Sequence, residues 1–417
     1  MNKAVILVGG PSRATRFRPL SMNLPQPLFP VGGKPILWHQ IKALSQVPDM
    51  KEIILLGLFE THVFSKFLDQ CSEEFPHIRF SYLREYSVLG TAGGLFHFRD
   101  QIKAGKPKNI FLLYTDICSS FPLRELLERH ESGEAIGTIM VKKISRDLAK
   151  RYGCVVPDEE KKMALHYVDK PETYISDLAS TGVYIFTNEI FDHIDKILAA
   201  RADELEKLPK KAFHDDFDRT QDSLMLESDV LPNLASNKKL GLYITQDFWR
   251  QIKTAASAVP ANGLYLNSAK QEIPGYCAEG KEGGPEIVGA VYIHPSAVVD
   301  PSAKIGPNVS IHAKSHIGAG VRIKDAIILD NVIIKDNAAI INAIVGWGGK
   351  IGRWSRVEGN PDNGDEKTDQ VTSSGVKIDS ICILGQDITV SDEAFVRNSI
   401  VLPHKHISSD IHNEIIM

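Results

Sequence analysis

An aliphatic residue recurs at every sixth position over a long stretch of the C-terminal third of the chain. The members of this first row are Ile293, Val299, Ile305, Ile311, Ile317, Ile323 and Leu329. A second row of small or aliphatic residues follows four positions after each of them and comprises Ala297, Ala303, Val309, Ser315, Val321, Ile327 and Ile333. A sustained six-residue period is typical of a parallel β-helix, in which aliphatic side chains point inward and stack on those one coil below. We therefore predict a left-handed parallel β-helix of hexapeptide repeats, with three hexads to each triangular coil.

The period slips after Leu329 and then resumes at Ile334, Ile340, Ile351 and Val357. It is next interrupted by EGNPDNGDEKTDQVTSSGVKIDS (358–380), which is acidic and almost free of large apolar residues. Such a segment has no side chains with which to fill a coil, so it must loop out of the β-helix. On composition alone it is a disordered surface insertion. Aliphatic spacing returns with ICILG (381–385).

The N-terminal part alternates short β-branched runs with amphipathic stretches. The predicted strands are 4–8, 52–57, 78–83, 109–114 and 135–141, and the predicted helices are 35–46, 61–75, 91–102 and 122–132. Alternation of this kind indicates an α/β, Rossmann-like domain with a mostly parallel sheet flanked by helices. Ligands of such sheets bind at the carboxyl ends of the strands. We therefore expect a ligand site at Gly9–Gly10 and at residues 114–116.

Composition limits the classes of partner. The formal net charge of the 417-residue chain is −4, so there is no basic surplus for binding a nucleic-acid backbone. The five cysteines lie far apart without a C-x-x-C pair, which favours reduced thiols over a disulfide or zinc framework. The apolar run at 4–8 is too short for a signal or membrane-spanning segment. We expect a cytoplasmic protein with domains at 1–255 and 291–417 and a linker at 256–290.

Several segments occur in an order that is specific to one family. They are GGPSRATRFRPL (9–20), PLFPVGGKPILWHQI (27–41), YLREYSVLGTAGGLFHFRDQI (82–102), ALHYVDKPETYISDLASTGVYIF (164–186), FWRQIK (248–253) and IVGWGGKIGRWSRVEG (344–359). With the hexapeptide repeats, the chain resembles the GDP-mannose pyrophosphorylase (mannose-1-phosphate guanylyltransferase) family over essentially its whole length. It is most similar to the alpha, regulatory, subunit type, which also carries an insertion at the position of residues 358–380.

The resemblance implies a reaction in which mannose 1-phosphate and GTP give GDP-mannose and pyrophosphate. This sequence departs from the family at the groups that such chemistry needs. Active relatives have G-G-x-G-T-R-L-R-P-L in the phosphate loop, where this chain has Ala14 in place of the third glycine. The lysine of their P-K-P-L segment is Gln26 here, which is neutral. Loss of one electrostatic donor to a transition state costs about 3 kcal/mol.

The metal-binding positions are also altered. Asp116 retains one aspartate of the family's Mg²⁺ site, but the W-x-D-I-G segment of active enzymes is replaced by a segment with Gln251 and Lys253. A divalent ion at this site would have one carboxylate ligand instead of two, and the positively charged Lys253 would lie nearby. Tyr114 and Ser180 stand where the family has asparagines, the second of which contacts the sugar. We therefore expect no cofactor for binding, and Mg²⁺ only if the protein is catalytic.

Residues that the resemblance assigns to nucleotide-sugar binding are better preserved. Glu85 occupies the position of the guanine reader, where a carboxylate accepts hydrogen bonds from the base. The other predicted binding residues are Gly9, Gly10, Arg16, Arg18, Gly90, Thr91, Gly93, Asp116, Gly153, Asp169, Lys170, Gly182 and Gln251. Without the surrounding motifs, Glu85 would be interpreted as a solvated surface acid.

From this pattern we predict a non-catalytic regulatory subunit that binds GDP-mannose and assembles with a catalytic beta-type paralogue. The β-helix would mediate self-association, and residues 358–380 would reach toward the partner's active site, so that GDP-mannose produces feedback inhibition. Two alternatives stay open. In the first, the chain is an active guanylyltransferase that uses Asp116 as its sole carboxylate metal ligand. In the second, it is a structural scaffold whose pocket binds nothing.

Overall fold

The computed structural model describes residues 1–10, 15–206, 223–360, 370–371, 377–378 and 381–417. These residues form two compact units. The first unit contains residues 1–10 and 37–249, and the second contains residues 15–36 and 250–417. The chain therefore passes into the second unit once near its N-terminus, returns to the first, and enters the second again after Trp249.

A mixed sheet with a parallel core forms the centre of the first unit. The strands of this unit are β1 (Asn2–Gly9), β2 (Met50–Gly57), β3 (Arg79–Arg84), β4 (Asn109–Tyr114), β5 (Ile117–Ser119), β6 (Gly137–Lys143), β7 (Cys154–Pro157), β8 (Ala164–Val168), β9 (Leu178–Phe186) and β10 (Leu240–Thr245). All of them except β5 belong to the sheet. The order β8-β7-β9-β4-β1-β2-β3 places the parallel strands β4, β1, β2 and β3 side by side. The predicted α/β class and the predicted strands are confirmed.

Helices connect these strands as the amphipathic stretches predict. They are α1 (Ile36–Ser45), α2 (His62–Glu74), α3 (Thr91–His97), α4 (Arg99–Lys103), α5 (Leu123–Glu131), α6 (Arg146–Ala149), α7 (Glu189–Glu206) and α8 (Leu231–Ser236). The predicted helix at 91–102 is divided at Phe98, whose backbone leaves the helical region (φ −95°, ψ 19°). The core of the unit joins strand residues such as Val5 and Leu112 to helix residues such as Leu95.

His130, on α5, is buried beside β6, where its Nδ1 lies 2.8 Å from Thr138 Oγ1. Burial lowers the pKa of His130 to about 4 from an ordinary value of 6.5. Between pH 6.5 and pH 4 this histidine is protonated in the unfolded chain but stays neutral in the folded protein. The free energy of unfolding therefore falls as the pH drops through this interval. Between pH 7 and pH 5 this residue alone should remove about 2 kcal/mol from the free energy of unfolding.

His130→Asn, whose amide keeps a polar partner for Thr138, should therefore flatten the pH dependence by about 2 kcal/mol over that interval. The measurement is urea unfolding at pH 7 and pH 5, with His77→Asn at an exposed position as the matched control. An unchanged pH dependence in His130→Asn would contradict the prediction.

Parallel strands in stacked coils form most of the second unit. Their bounds are Glu286–Ile287, Val291–Ile293, Val298–Val299, Lys304–Ile305, Val309–Ile311, His316–Ile317, Arg322–Ile328, Ile333–Ile334, Ala339–Val345, Lys350–Ile351, Arg356–Glu358, Cys382–Leu384, Thr389–Val390, Phe395–Arg397, Ile400–Val401, His406–Ile407, Ile411–His412 and Ile415–Ile416. Each strand pairs in parallel with the equivalent strand one coil away, and a continuous aliphatic core fills the interior. The predicted β-helix is confirmed.

The length of a coil explains where the period slips. Ile305 pairs with Ile323, 18 positions later, as three hexads require. Ile323 then pairs with Ile340, only 17 positions later. The missing residue lies at the corner before Ala326, because Val309 follows Ile305 by four positions whereas Ala326 follows Ile323 by three.

Two members of the second predicted row therefore do not point inward, and that part of the prediction is wrong. Ala326 and Ile328 enter the core, whereas Ile327 lies on the same side of its strand as its neighbour Ser310, which bonds to a helix outside the coils. Ile333 is 40% exposed. A deletion of one residue at a corner shifts the phase of every later residue in the row.

The coils on the two sides of the insertion are continuous. Val345 pairs with Leu384, and Ile351 pairs with Val390. The aliphatic spacing that returns at 381–385 is thus the next coil, as predicted. Within the insertion, Gln370–Val371 pairs antiparallel with Lys377–Ile378. Residues 361–369, 372–376 and 379–380 lie outside the described residues, so the predicted role of this segment is not addressed by the structure.

Residues 256–290, predicted as a linker, include the helix α9 (Ala258–Glu272), which packs against the β-helix. Asn262 of α9 is buried and joins three segments. Its Oδ1 accepts hydrogen bonds from Gly32 N (2.8 Å) and Ser310 Oγ (2.9 Å), and its Nδ2 donates to Asn308 O (3.0 Å). Residues 15–36 are attached to the same unit, where Phe29 packs edge-on against Trp347. Among the described helices, none is long and apolar enough to cross a membrane.

Candidate functional site

The carboxyl ends of the parallel strands in the first unit meet in a compact turn region. Leu58 N donates to Gly9 O (2.8 Å), and Thr115 Oγ1 donates to Leu7 O (3.1 Å). A Cβ atom on Gly10 would lie 2.8 Å from the Cβ atom of Leu58, so only glycine allows the turn after β1 to approach the end of β2. Gly10 is therefore required by the packing of the strand ends, whereas a Cβ atom on Gly9 would meet no other atom and glycine is favoured there by its positive φ of 71°.

Glu85 follows β3 at the same edge of the sheet. Its backbone N–H donates to Gly57 O (2.8 Å), which fixes the residue beside the end of β2. Its side chain is half-buried and lies over α3. A Cβ atom on Gly94 would be only 2.1 Å from Glu85 Oε1, so the carboxylate occupies the space that the glycine leaves open. Gly94 was not among the predicted site residues, although it lies in the LGTAGG motif.

The predicted nucleotide-facing turn begins α3. Gly90 precedes the helix with a positive φ of 84°. The backbone N–H groups of Ala92 and Gly93 donate to Leu224 O at 2.9 and 3.0 Å. These first-turn donors are thus satisfied by the segment that follows residue 222 rather than directed at a phosphate.

Glu227 is a site residue that the sequence did not indicate. Its Oε1 accepts a hydrogen bond from Tyr114 Oη (2.6 Å), and its Oε2 accepts one from Thr91 Oγ1 (2.9 Å). Thr91 Oγ1 in turn accepts from Leu226 N (2.8 Å). Both oxygens of the carboxylate are therefore bound by side chains of predicted or altered site positions.

Tyr114, which ends β4, is held from several directions. Gln40 Nε2 donates to its carbonyl oxygen (2.8 Å), and its ring packs edge-on to Tyr184 with centroids 5.9 Å apart. A Cβ atom on Gly182 would lie 3.1 Å from Cδ2 of the same ring. The pKa of the Tyr114 phenol is raised well above its usual value, mainly because the group is buried and to a smaller extent because Tyr184 and Glu227 lie nearby. The hydroxyl therefore stays protonated and remains a donor.

Ser180 and Gly153 belong to the same cluster. Ser180 is buried, its Oγ lies 3.0 Å from Tyr184 Oη, and its N–H donates to Gly153 O (2.8 Å). A Cβ atom on Gly153 would lie 2.1 Å from Tyr167 Oη. Burial raises the pKa of both Tyr167 and Tyr184, which keeps these phenols protonated as well. The structure thus brings together Thr91, Gly153 and Gly182 from distant parts of the sequence.

Asp169 and Lys170 form an ion pair at the surface. Lys170 Nζ lies 3.1 Å from Asp169 Oδ2, and the lysine side chain is exposed. Exposed pairs of this kind contribute little to stability. The pair leaves the lysine head group accessible from solvent.

The remaining predicted residues are divided between the units. Asp116 is half-buried in the first unit, two residues after the end of β4. In the second unit Arg16 and Arg18 are exposed, and Gln251 and Lys253 are half-buried. Ala14 lies outside the described residues.

Gln26, also in the second unit, donates from Nε2 to the carbonyl oxygen of Ile252. The side chain at this altered position therefore joins the P-Q-P-L segment to the segment that contains Gln251. Within the described ranges, no group of three or more His, Cys, Asp or Glu side chains is arranged to hold a metal ion. Asp116 is thus not accompanied by two further side chains of these types, so the described residues alone do not form a site for a resident Mg²⁺ ion.

Comparison with known families agrees with this architecture. Residues 3–258 match the nucleotidyl transferase family model, and residues 287–417 match the model of the GMPPB C-terminal domain. A crystal structure of a Bacillus anthracis protein described as a glucose-1-phosphate thymidylyltransferase is similar to 68% of this chain and 98% of its own, with a TM-score of 0.52 and 20% identity. That likeness supports the fold alone, and together these matches define a protein of the nucleotidyltransferase class.

Full-length relatives narrow the class. A Schizosaccharomyces pombe protein named a probable mannose-1-phosphate guanyltransferase is 44% identical over 100% of both chains. Proteins of Danio rerio and Xenopus tropicalis, named mannose-1-phosphate guanylyltransferase regulatory subunit alpha-B and alpha, are each 44% identical over the same full extent. The chain belongs to the mannose-1-phosphate guanylyltransferase family.

Proposed function

We propose that this protein is a regulatory subunit, without catalytic activity of its own, of a cytoplasmic mannose-1-phosphate guanylyltransferase complex. It binds GDP-mannose and, when occupied, lowers the activity of a catalytic beta-type subunit. The observation that carries this proposal is the hydrogen bond from Gln26 to the Ile252 carbonyl. Active relatives have a lysine at this position, whereas this chain has a neutral amide that donates a hydrogen bond to its own backbone.

The loss of that cation has a direct chemical consequence. Transfer of a nucleotidyl group is accelerated mainly by positioning and by charges that offset the developing charge on the phosphates. An amide that donates to a backbone carbonyl supplies no positive charge, and one of its two N–H donors is already used. Asp116 alone is a poor site for a divalent ion, which takes several oxygen ligands in protein sites. Both changes favour a role in binding.

The binding groups support GDP-mannose as the ligand. Glu85 has a carboxylate positioned by Gly57 and Gly94, and a carboxylate accepts hydrogen bonds from the N–H groups of guanine. Lys170 presents an ammonium group to solvent, and an ammonium pairs with phosphate as a point charge. Binding of this kind requires no metal, so chelation of divalent ions should leave the affinity unchanged.

The relatives named as regulatory subunits support assembly with a catalytic subunit, and the β-helix offers a long surface for self-association. Feedback then requires that GDP-mannose bind the inhibitory arrangement of the complex more tightly than the active one. The name of the Schizosaccharomyces pombe relative favours a second candidate function, which is an active guanylyltransferase.

A turnover assay separates the two functions. Purified protein with GTP, mannose 1-phosphate and Mg²⁺ should release pyrophosphate at least about 10³-fold more slowly than a catalytic beta-type subunit, since loss of one donor costs about 10²–10³ and several are altered. Gln26→Lys alone should not restore turnover. Sustained pyrophosphate release by the wild-type chain would refute the proposal.

Addition of the protein to a catalytic partner tests the regulatory part. GDP-mannose should inhibit the mixture more strongly than it inhibits the partner alone, in the presence of the same Mg²⁺ concentration. Equal inhibition with and without this chain would overturn the feedback role, and absence of measurable GDP-mannose binding would leave the scaffold interpretation.

A further inference from the structure

We propose, on the basis of the proposed function, that Tyr114 takes the place of a ligand hydroxyl on Glu227. The pocket of the first unit would then hold GDP-mannose mainly by its nucleotide end and gain little affinity from the hexose. Tyr114 is thereby a specificity-determining residue, and GDP and GDP-mannose are ligands of similar strength.

The hydrogen bonds of Glu227 are the first step of this argument. A carboxylate recognises a sugar by accepting hydrogen bonds from its hydroxyl groups. Here one oxygen accepts from the Tyr114 phenol at 2.6 Å and the other from Thr91 at 2.9 Å. A hexose hydroxyl that approaches Glu227 must compete with a donor that is already attached to the protein and has little entropy left to lose.

The ring of Tyr114 is fixed in place, so the phenol is not simply a mobile side chain that yields to a ligand. One face of the ring is close to Gly182, where a Cβ atom would be 3.1 Å away, and the ring packs edge-on against Tyr184. Gln40 holds the Tyr114 backbone through its carbonyl. Displacement of the phenol would break these contacts together.

A second pair of hydroxyl groups in the same cluster is also satisfied internally. Ser180 Oγ lies 3.0 Å from Tyr184 Oη, and both side chains are buried. Tyr167 Oη fills the space above Gly153. The polar groups of this cluster therefore bond to one another, whereas the Glu85 carboxylate lies against Gly94 of α3.

The consequence concerns which molecules regulate the protein. If the hexose contributes little, free GDP competes with GDP-mannose at comparable concentrations. Occupancy of the regulatory pocket then depends on the concentration of GDP as well as on that of GDP-mannose.

Isothermal titration of the full-length protein with GDP and with GDP-mannose tests the inference. The two dissociation constants of the wild-type chain should agree within about threefold, because a sugar hydrogen bond to a carboxylate would add about tenfold or more. Tyr114→Asn removes the phenol and exposes Glu227. This variant should strengthen GDP-mannose binding relative to GDP by about tenfold while the GDP affinity stays within about threefold.

Tyr243→Phe, which removes a phenol on β10 outside the cluster, is the matched control and should leave both dissociation constants unchanged. A wild-type chain that prefers GDP-mannose over GDP by more than about tenfold overturns the inference, and this result does not depend on the folding of any variant. A folded Tyr114→Asn protein with an unchanged ratio overturns it as well. If neither compound binds, the proposed function itself fails, and this outcome is distinct from a changed preference.

Discussion

Replacing Ile334 by alanine is expected to lower the free energy of unfolding of the second unit by about 2–5 kcal/mol. Ile334 is 1% exposed and stacks between Ile317 and Ile351 in the column of the β-helix. Removal of its outer atoms leaves a cavity that the stacked coils above and below cannot close without shifting their own strands. The measurement is urea unfolding followed by circular dichroism in the β-sheet region.

The adjacent residue provides a matched control. Ile333 has the same side chain on the same strand but is 40% exposed. Ile333→Ala should change the free energy of unfolding by less than about 1 kcal/mol, since its side chain is only partly removed from water. Equal losses in the two variants would show that the phase of the coil assigned here is wrong.

The pair also marks the limit of prediction from a periodic sequence. Aliphatic spacing identifies the β-helix because each inward position must be apolar, whatever the neighbouring residues are. It does not determine how many residues turn a corner. The corner before Val309 contains Asn308, and the shorter corners of the next two coils contain Asp325 and Asn342, all with positive φ between 46° and 59°.

Asn and Asp adopt this left-handed conformation more readily than other residues with side chains. At these corners they also bond between coils, since Asn308 Nδ2 donates to Asp325 Oδ1 at 2.8 Å. The change from 18 to 17 residues per coil is therefore carried by polar corner residues. Apolar spacing alone does not reveal these shorter corners, and it predicts wrongly that Ile333 faces the core.

The candidate site divides in the same way. The positions of Gly9, Gly10, Glu85 and Tyr114 follow from the rule that parallel strands present ligands at their carboxyl ends. Glu227 does not follow from any local pattern, because its contact with Tyr114 joins residues 113 positions apart. Whether the predicted site residues bind a nucleotide sugar stays a prediction. Their arrangement makes one residue outside the predicted set, Gly94, a sensitive test of it.

Gly94→Ala is expected to weaken GDP-mannose binding by about tenfold to a hundredfold, although the substitution adds only one methyl group. The new Cβ atom would lie 2.1 Å from Glu85 Oε1 and 3.0 Å from Leu56 Cδ2. The carboxylate is the flexible partner, so it must move and lose its position for accepting hydrogen bonds from guanine. Glu85→Ala should produce a loss of similar size, because hydrogen bonds to charged groups contribute about 1.5–3 kcal/mol.

Coupling between the two substitutions distinguishes this cause from general damage to the fold. If Gly94→Ala acts through Glu85, the double variant should bind no more weakly than Glu85→Ala alone, whereas independent effects would add. Gly133→Ala, where the nearest atom to a new Cβ is 3.6 Å away, controls for the change of residue type and should leave the affinity unaltered. Alanine is the better helix former, so α3 itself should be preserved in the variant. Additive losses in the double variant would show that Gly94→Ala weakens binding by a route other than displacement of the Glu85 carboxylate.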